Sequence, residues 1–222
     1  MHALPRAAYL AAPAPIPMAS APGTALWGGM ISGGFGPRSF RGLGLIDQSQ
    51  VPTAQMGRFH GAPDTLNLMR EHSWGEHGEH SVLVRMVLEE IVRGVRGKDY
   101  LGEILAVRNW VTQRLRYVND PLHVEYVKTP QRLCEEVLTH GLALADCDEM
   151  AQLIGTFGLQ LGRESEFVVV GFGDPGDYSH VFARIKEPKS GQWIICDPVA
   201  GSDERTMADR VTTYELWSLD EF

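Results

Sequence analysis

No apolar run in this 222-residue chain approaches the ~20 residues needed to span a bilayer. Basic charge is also scarce. The chain has 20 Lys and Arg against 28 Asp and Glu, a formal net charge of −8. That balance argues against a general nucleic-acid binder, whose phosphate contacts need clustered cations. It also disfavours an electrostatic hold on anionic membranes. Cysteine is rare: Cys134, Cys147 and Cys196, an odd count at irregular spacing. This is not a disulfide framework, and it favours a reducing compartment or free thiols. Cys134 and Cys196 read as small buried hydrophobes. The glycine-rich stretch Gly171 to Tyr178 has no Lys-Ser/Thr ending and no helix after it, so it is not a phosphate loop.

What is present divides the chain in two. Residues 1–59 read as a low-complexity N-terminal arm, Ala/Pro-rich from Ala7 to Pro22 and Gly-rich from Gly23 to Gly44. Such composition buries too little apolar surface to offset its ordering entropy. The short run after Arg6 is broken by Pro13, Pro15 and Pro17, so a signal peptide is not expected. An arm that docks on neighbouring subunits of a larger assembly is the expected role, with an unstructured tail or a removable pro-segment as alternatives. Residues 60–222, with 44% hydrophobic residues in the chain as a whole, supply the material for one globular domain.

From Phe59 to His80, His60, His72, His77 and His80 alternate with Glu71, Glu76 and Glu79. His77 and His80 could share a helix face and hold zinc. The flanking Gly75 and Gly78, and the lack of a third fixed ligand, favour a solvated turn without metal. A helix is expected over Glu79 to Val95, with Leu83, Val84, Val87, Leu88, Ile91 and Val92 in one stripe. Asp99 can cap a second helix reaching Leu115, with Leu101, Ile104, Leu105, Arg108 and Val111 on one side and Trp110 in the core. Tyr117 to Lys128 is extended or looped around Asp120-Pro121. Thr129-Pro130 starts another helix, which Gly141 ends. Glu166 to Phe172 reads as a strand covered on both faces. The apolar end, Tyr214, Leu216, Trp217, Leu219 and Phe222, is expected to pack on the domain or on a neighbour, and Arg205 and Arg210 form a small basic patch.

The chain is organised around Ala145-Asp146-Cys147-Asp148-Glu149-Met150-Ala151. Met150, Leu153, Ile154, Phe157 and Leu161 follow at helical spacing, and Gly162 can close the helix. Asp146 is the candidate N-cap. A thiol in the first turn feels the positive helix end, which favours thiolate. The neighbouring carboxylates oppose it, and spacing alone does not decide the balance. Downstream, a strand opens with His180, Glu187 to Gly191 is hairpin material, and a second strand ends at Asp197-Pro198. Two antiparallel strands can carry His180 and Asp197 side by side and present them to Cys147.

These segments, from about Asn109 to Val199, resemble the transglutaminase-like superfamily of papain-type thiol enzymes. The likeness rests on Asp146-Cys147 at a helix start, Ser179-His180-Val181-Phe182, and Trp193-Ile194-Ile195-Cys196-Asp197-Pro198, in that order. Arg116-Tyr117-Val118-Asn119-Asp120 and Thr129-Pro130 look like the stretch before the cysteine in bacterial and viral members. Ala145 stands where Gly often precedes the Asp-Cys pair. Val181-Phe182 replaces a small residue plus Trp.

The resemblance implies an α+β fold, with a papain-like core of helices packed on an antiparallel sheet. It also implies a thiol enzyme that hydrolyses a peptide or amide bond, or transfers the acyl group to an amine. Cys147 would be nucleophile, His180 base and acid, and Asp197 the group orienting the imidazole. The oxyanion would meet the Cys147 backbone N–H and one further donor, with Trp110, Tyr117 and Asn119 as candidates. Tyr117, Asp120, Tyr126, Tyr178 and Phe182 are candidates to bind a protein or peptide substrate. No cofactor or metal is implied, and a cytoplasmic or virion-associated location is expected. The alternative is a structural or accessory protein of a larger assembly, such as a phage virion, that keeps the fold with or without activity.

Overall fold

The computed structural model describes residues 53–56, 61–120, 125–174, 176–199 and 210–220. Except for Thr53–Met56, the proposed N-terminal arm lies outside the described residues, as do His60, Arg205 and Phe222. The elements in chain order are β1 (Thr53–Met56), α1 (Ala62–Trp74), α2 (Val82–Val92), α3 (Tyr100–Arg114), β2 (Leu115–Tyr117), β3 (Glu125–Lys128) and α4 (Pro130–His140). Then follow β4 (Ala143–Ala145), α5 (Cys147–Gln160), β5 (Ser165–Gly171), β6 (His180–Lys186), β7 (Trp193–Cys196) and β8 (Thr213–Ser218). The fold is α+β. Its main sheet is antiparallel, in the order β7-β6-β5-β8, and two small ribbons pair β1 with β3 and β2 with β4. Among the described residues, no helix is long and apolar enough to cross a membrane.

Helix starts follow local chemistry. The Asp99 side chain accepts the Gly102 N–H at 3.0 Å, and that of Thr129 accepts the Arg132 N–H at 3.3 Å ahead of Pro130. Ser81 caps α2 through the Val84 N–H, so that helix begins at Val82 and not at Glu79. Gly141 takes a left-handed φ of 84° after α4, a conformation that costs a side-chain-bearing residue more.

The centre of the molecule is α5. Every residue from Glu149 to Leu159 is buried, because the helix touches α1 to α4 and also β5 and β6. Close approach to the sheet depends on small residues. A Cβ on Gly158 would lie 2.2 Å from Ser165 Oγ, and one on Gly155 2.6 Å from Leu219 Cδ1. Strand β5 is covered on both faces. Phe167 and Val169 join the main core under α5, while Val168 and Val170 form a second cluster with Phe182.

Two expectations are corrected by tertiary packing. The polar histidine segment is in large part helix: Leu66, Met69 and Ser73, at spacings of three and four, put one face of α1 into the core. On α3 the buried row is Ile104, Val107, Trp110 and Val111, not the row through Leu101, Leu105 and Arg108. The C-terminal apolar residues pack on the domain, as expected: Tyr214, Leu216 and Trp217 lie in β8, paired antiparallel with β5 from Glu166↔Ser218 to Gly171↔Thr213, and Leu219 is fully buried in the main core.

Candidate active site

Cys147 is the first residue of α5, and the start of that helix is heavily specified. The Asp146 carboxylate accepts the Asp148 and Glu149 N–H groups at 3.0 and 3.4 Å. Glu149 Oε2 accepts the Asp146 N–H in return, at 3.1 Å, which closes a capping box. Glu149 Oε1 accepts the Lys128 N–H at 3.1 Å, and Gln152 Nε2 donates to Lys128 O at 2.8 Å. The helix tip is thereby tied to β3. It is also tied to β2, because β4 pairs in parallel with β2 and the Val118 N–H donates to Ala145 O at 3.0 Å.

Opposite this tip, β6 and β7 are adjacent antiparallel strands, with Ala183 facing Cys196 in the register. His180 opens β6 and Asp197 follows β7. His180 Nε2 lies 2.8 Å from Asp197 Oδ2, with the two side chains 8% and 2% exposed. Asp197 Oδ1 accepts the Val199 N–H at 2.9 Å, the local bond expected of an Asp-Pro turn. A carboxylate only accepts, so Nε2 carries a proton, and in the neutral ring the lone pair is then on Nδ1. The Val181 backbone N–H donates to the Cys147 sulfur, which places the thiol against the first residues of β6.

The thiol itself donates to Asp148 Oδ1 at 3.4 Å. Burial raises its pKa first, and the charges of Asp148 and then Asp146 raise it further, against the Val181 N–H. The helix end does not prevail here: the resting sulfur is a neutral thiol. Asp148 as its partner was not anticipated. Its place beside the cysteine suggested a charge that opposes the thiolate, not a hydrogen bond from the sulfur.

The remaining candidates separate by position. Tyr117, opposite Ala145 in the β2–β4 ribbon, is 46% exposed; burial raises its phenol's pKa first, and its closeness to Cys147, Asp146 and Asp148 raises it further. Asn119 is exposed farther along that segment. Trp110 is buried against Phe157, edge to face at 5.9 Å, and belongs to the core. Phe182 is 3% exposed in the second core cluster, against Val168 and Val170, and lines no surface. Its alternation with Val181 does place it on the other face of the sheet, but that face is itself covered. Asp120 accepts the Tyr126 backbone N–H and so closes its own loop. The Tyr178 hydroxyl donates to Glu215 Oε1 at 2.7 Å. No group of three or more metal-ligating side chains is assembled among the described residues.

Glu149 is nearly buried, and burial pushes its carboxyl up to about 8; the Asp146 charge adds to this, while Lys128 and the two N–H donors oppose it. His72 goes the other way, to about 4, through burial and the nearby His77. The unfolded Glu149 releases its proton near its ordinary 4.5, so stability is lost as pH rises from there toward 8. The unfolded His72 binds a proton below its ordinary 6.5, so stability is lost as pH falls from there toward 4. The two slopes oppose each other between 4.5 and 6.5, and above 6.5 the Glu149 slope stands without its opponent. Urea midpoints are therefore expected to fall between pH 6.5 and 8. The fall has a ceiling of ~1.4 kcal/mol per pH unit for one proton. Glu149→Gln should shrink that fall; an unchanged slope would show that this carboxyl ionises normally.

No family model matches the chain, and neither a curated protein nor a solved structure shows significant similarity to it.

Proposed function

We propose that the protein is a thiol-dependent acyl-transfer enzyme, built on a papain-like arrangement of α5 against β6 and β7, that hydrolyses a peptide or amide bond. The observation that carries this reading is the buried His180–Asp197 pair at 2.8 Å, on the strand whose Val181 N–H meets the Cys147 sulfur. An imidazole paired with a carboxylate, opening the strand whose next residue reaches the sulfur at a helix tip, supports the general-base activation that this reading requires.

In this mechanism Cys147 Sγ attacks the substrate carbonyl carbon and a C–S bond forms. Because the resting sulfur is protonated, its proton passes to His180 Nδ1 during attack. Asp197 holds the Nε2–H and stabilises the imidazolium. The proton then goes to the leaving nitrogen as the C–N bond breaks, leaving a thioester. Water attacks the thioester, gives its proton to His180, and the C–S bond breaks as the sulfur takes that proton back. The oxyanion would be met by the Cys147 backbone N–H, which the Asp146 cap does not take, and by the Tyr117 hydroxyl. Trp110, buried in the core, and Asn119, exposed two residues beyond Tyr117, stay alternatives for that second donor.

The test compares wild type with Cys147→Ala using an activity-based thiol probe, with mass-spectrometric location of the label. Cys134 and Cys196 are fully buried, so labelling is expected at Cys147 and is expected to be lost in the variant. Equal labelling of both proteins would end the proposal and leave the assembly-component reading in its place.

A further inference from the structure

We propose that the outer face of the β2–β4 ribbon is a docking surface for this chain's own residues 43–47, Leu43-Gly44-Leu45-Ile46-Asp47, bound in cis. The surface is made by Leu142, Leu144, Arg116 and Val118, beside the tip of α5 that carries Cys147. Docking there is independent of the acyl-transfer chemistry proposed above.

Strand alternation makes the surface. In β4, Ala143 and Ala145 are buried and Leu144 between them is exposed. Leu142, just ahead of the strand and two residues from Leu144, is exposed as well. In the parallel register Arg116 lies opposite Leu144, and it too is exposed, as is Val118 just past β2. Seven large apolar side chains are exposed among the described residues, and four of them, Tyr117, Val118, Leu142 and Leu144, lie on this ribbon or at its ends. Apolar side chains exposed together, unlike single ones, mark a contact surface. The guanidinium among them donates to Gln113 O at 3.5 Å through Nη1 and carries four more N–H groups.

The route of the chain selects the occupant. Strand β1 runs antiparallel to β3, with its first residue, Thr53, opposite Lys128. Lys128 Nζ donates to Leu144 O at 2.6 Å. That carbonyl is turned away from β2, because the next one, Ala145 O, accepts the Val118 N–H. Residue 52 therefore joins the fold about 5 Å, one strand spacing, from a residue whose side chain touches the open edge of β4. Residues 43–52 span up to ~33 Å when extended, several times that distance. Within them, Leu43, Leu45 and Asp47 share one side of an extended segment. Two leucines followed by a carboxylate match a face of leucines and valine around a guanidinium. So short a tether presents the segment at an effective concentration on the order of millimolar, which favours it over the same segment of a second copy.

The test replaces Leu144 of the full chain, and in a second protein Leu142, with the photoreactive residue benzoylphenylalanine. Both positions are exposed, so the probe stays out of the core. On irradiation the excited ketone inserts into a C–H bond that it touches, and fragment mass spectra locate the product. Cross-links are expected within residues 43–47, in the monomer, at a yield that dilution leaves unchanged. The same probe at Val82, an exposed apolar position at the start of α2, is the control and is expected to give no such product. Leu45→Asp should lower the yield from position 144 by about tenfold, the factor expected when the burial of one leucine is lost. Arg116→Asp should lower it too, and adding Asp47→Arg to that variant should restore it, which damage to the ribbon alone would not allow. Failure to cross-link residues 43–47 from both ribbon positions would overturn the proposal. So would an equal yield from Val82. A cross-linked dimer that disappears on dilution would place the segment on a second copy and overturn docking in cis. None of these readouts uses the Cys147 sulfur, so the acyl-transfer reading stands or falls separately.

Discussion

Replacing His180 with alanine is expected to lower the rate of amide hydrolysis by about three to four orders of magnitude, with KM much less affected. The reason lies in the state of the sulfur. Burial and two carboxylates keep Cys147 protonated, so no preformed thiolate is available to attack without a base. In the proposed mechanism the imidazole is also the source of the proton that the leaving nitrogen needs. Asp197→Asn should cost a comparable factor, because an amide in place of the carboxylate permits the other tautomer and turns a proton rather than a lone pair toward the thiol. The two functions of His180 can be separated. An activated ester has a leaving group that departs without protonation, so His180→Ala should lose less on the ester than on the matching amide. Single-turnover kinetics on both substrates would show this. A loss below about tenfold on the amide would remove His180 from the mechanism, since one general base is worth roughly 10²–10⁴ by itself.

The parts of this arrangement that were legible in the sequence are those decided locally. Asp99, Thr129 with Pro130, and Asp146 each announce a helix start, because a side-chain oxygen at that position satisfies N–H groups that nothing else reaches. Glu187 to Gly191 announces the hairpin, and with it the adjacency of His180 and Asp197. What was not legible depends on partners far away in the chain. Helix α1 has only Leu66 and Met69 as buried apolar side chains, too few to stand out until α5 covers them. Strand β8 alternates poorly because both its faces are partly exposed, and only β5 makes it a strand. Phe182 alternates correctly with Val181, but alternation assigns a face and does not say whether that face is covered. The balance on Cys147 is of the same kind. Helix end and carboxylates oppose each other in the local sequence, and burial, which is a tertiary quantity, settles it in favour of the thiol.

Phe157→Ala should be the most damaging core substitution, at about 3–5 kcal/mol. Phe157 is fully buried in the last turn of α5 and meets Trp110 of α3 edge to face, with ring planes at 83°. Removing the ring deletes that contact and leaves a cavity at the junction between the helical layer and the sheet. The surroundings are poorly placed to collapse into it. Gly155 and Gly158 already bring the helix as close to Leu219 and Ser165 as their missing side chains allow, and the tip of α5 is held by hydrogen bonds to Lys128. Against a typical total stability of 5–15 kcal/mol, this is a large fraction. For a domain of this size it corresponds to a fall of about 6 to 20 °C in Tm. Urea denaturation should show a lower midpoint with an unchanged m-value, since the surface exposed on unfolding hardly changes. Phe157→Leu should cost markedly less, because most of the volume is kept. The reactivity of Cys147 toward the thiol probe in the folded fraction should stay within about threefold of wild type, since cap and strand contacts, not the ring, place the sulfur. A stability loss below about 1 kcal/mol would mean that α5 is not gripped through this face. The account of how Cys147 is held against β6 would then have to be rebuilt from the cap alone.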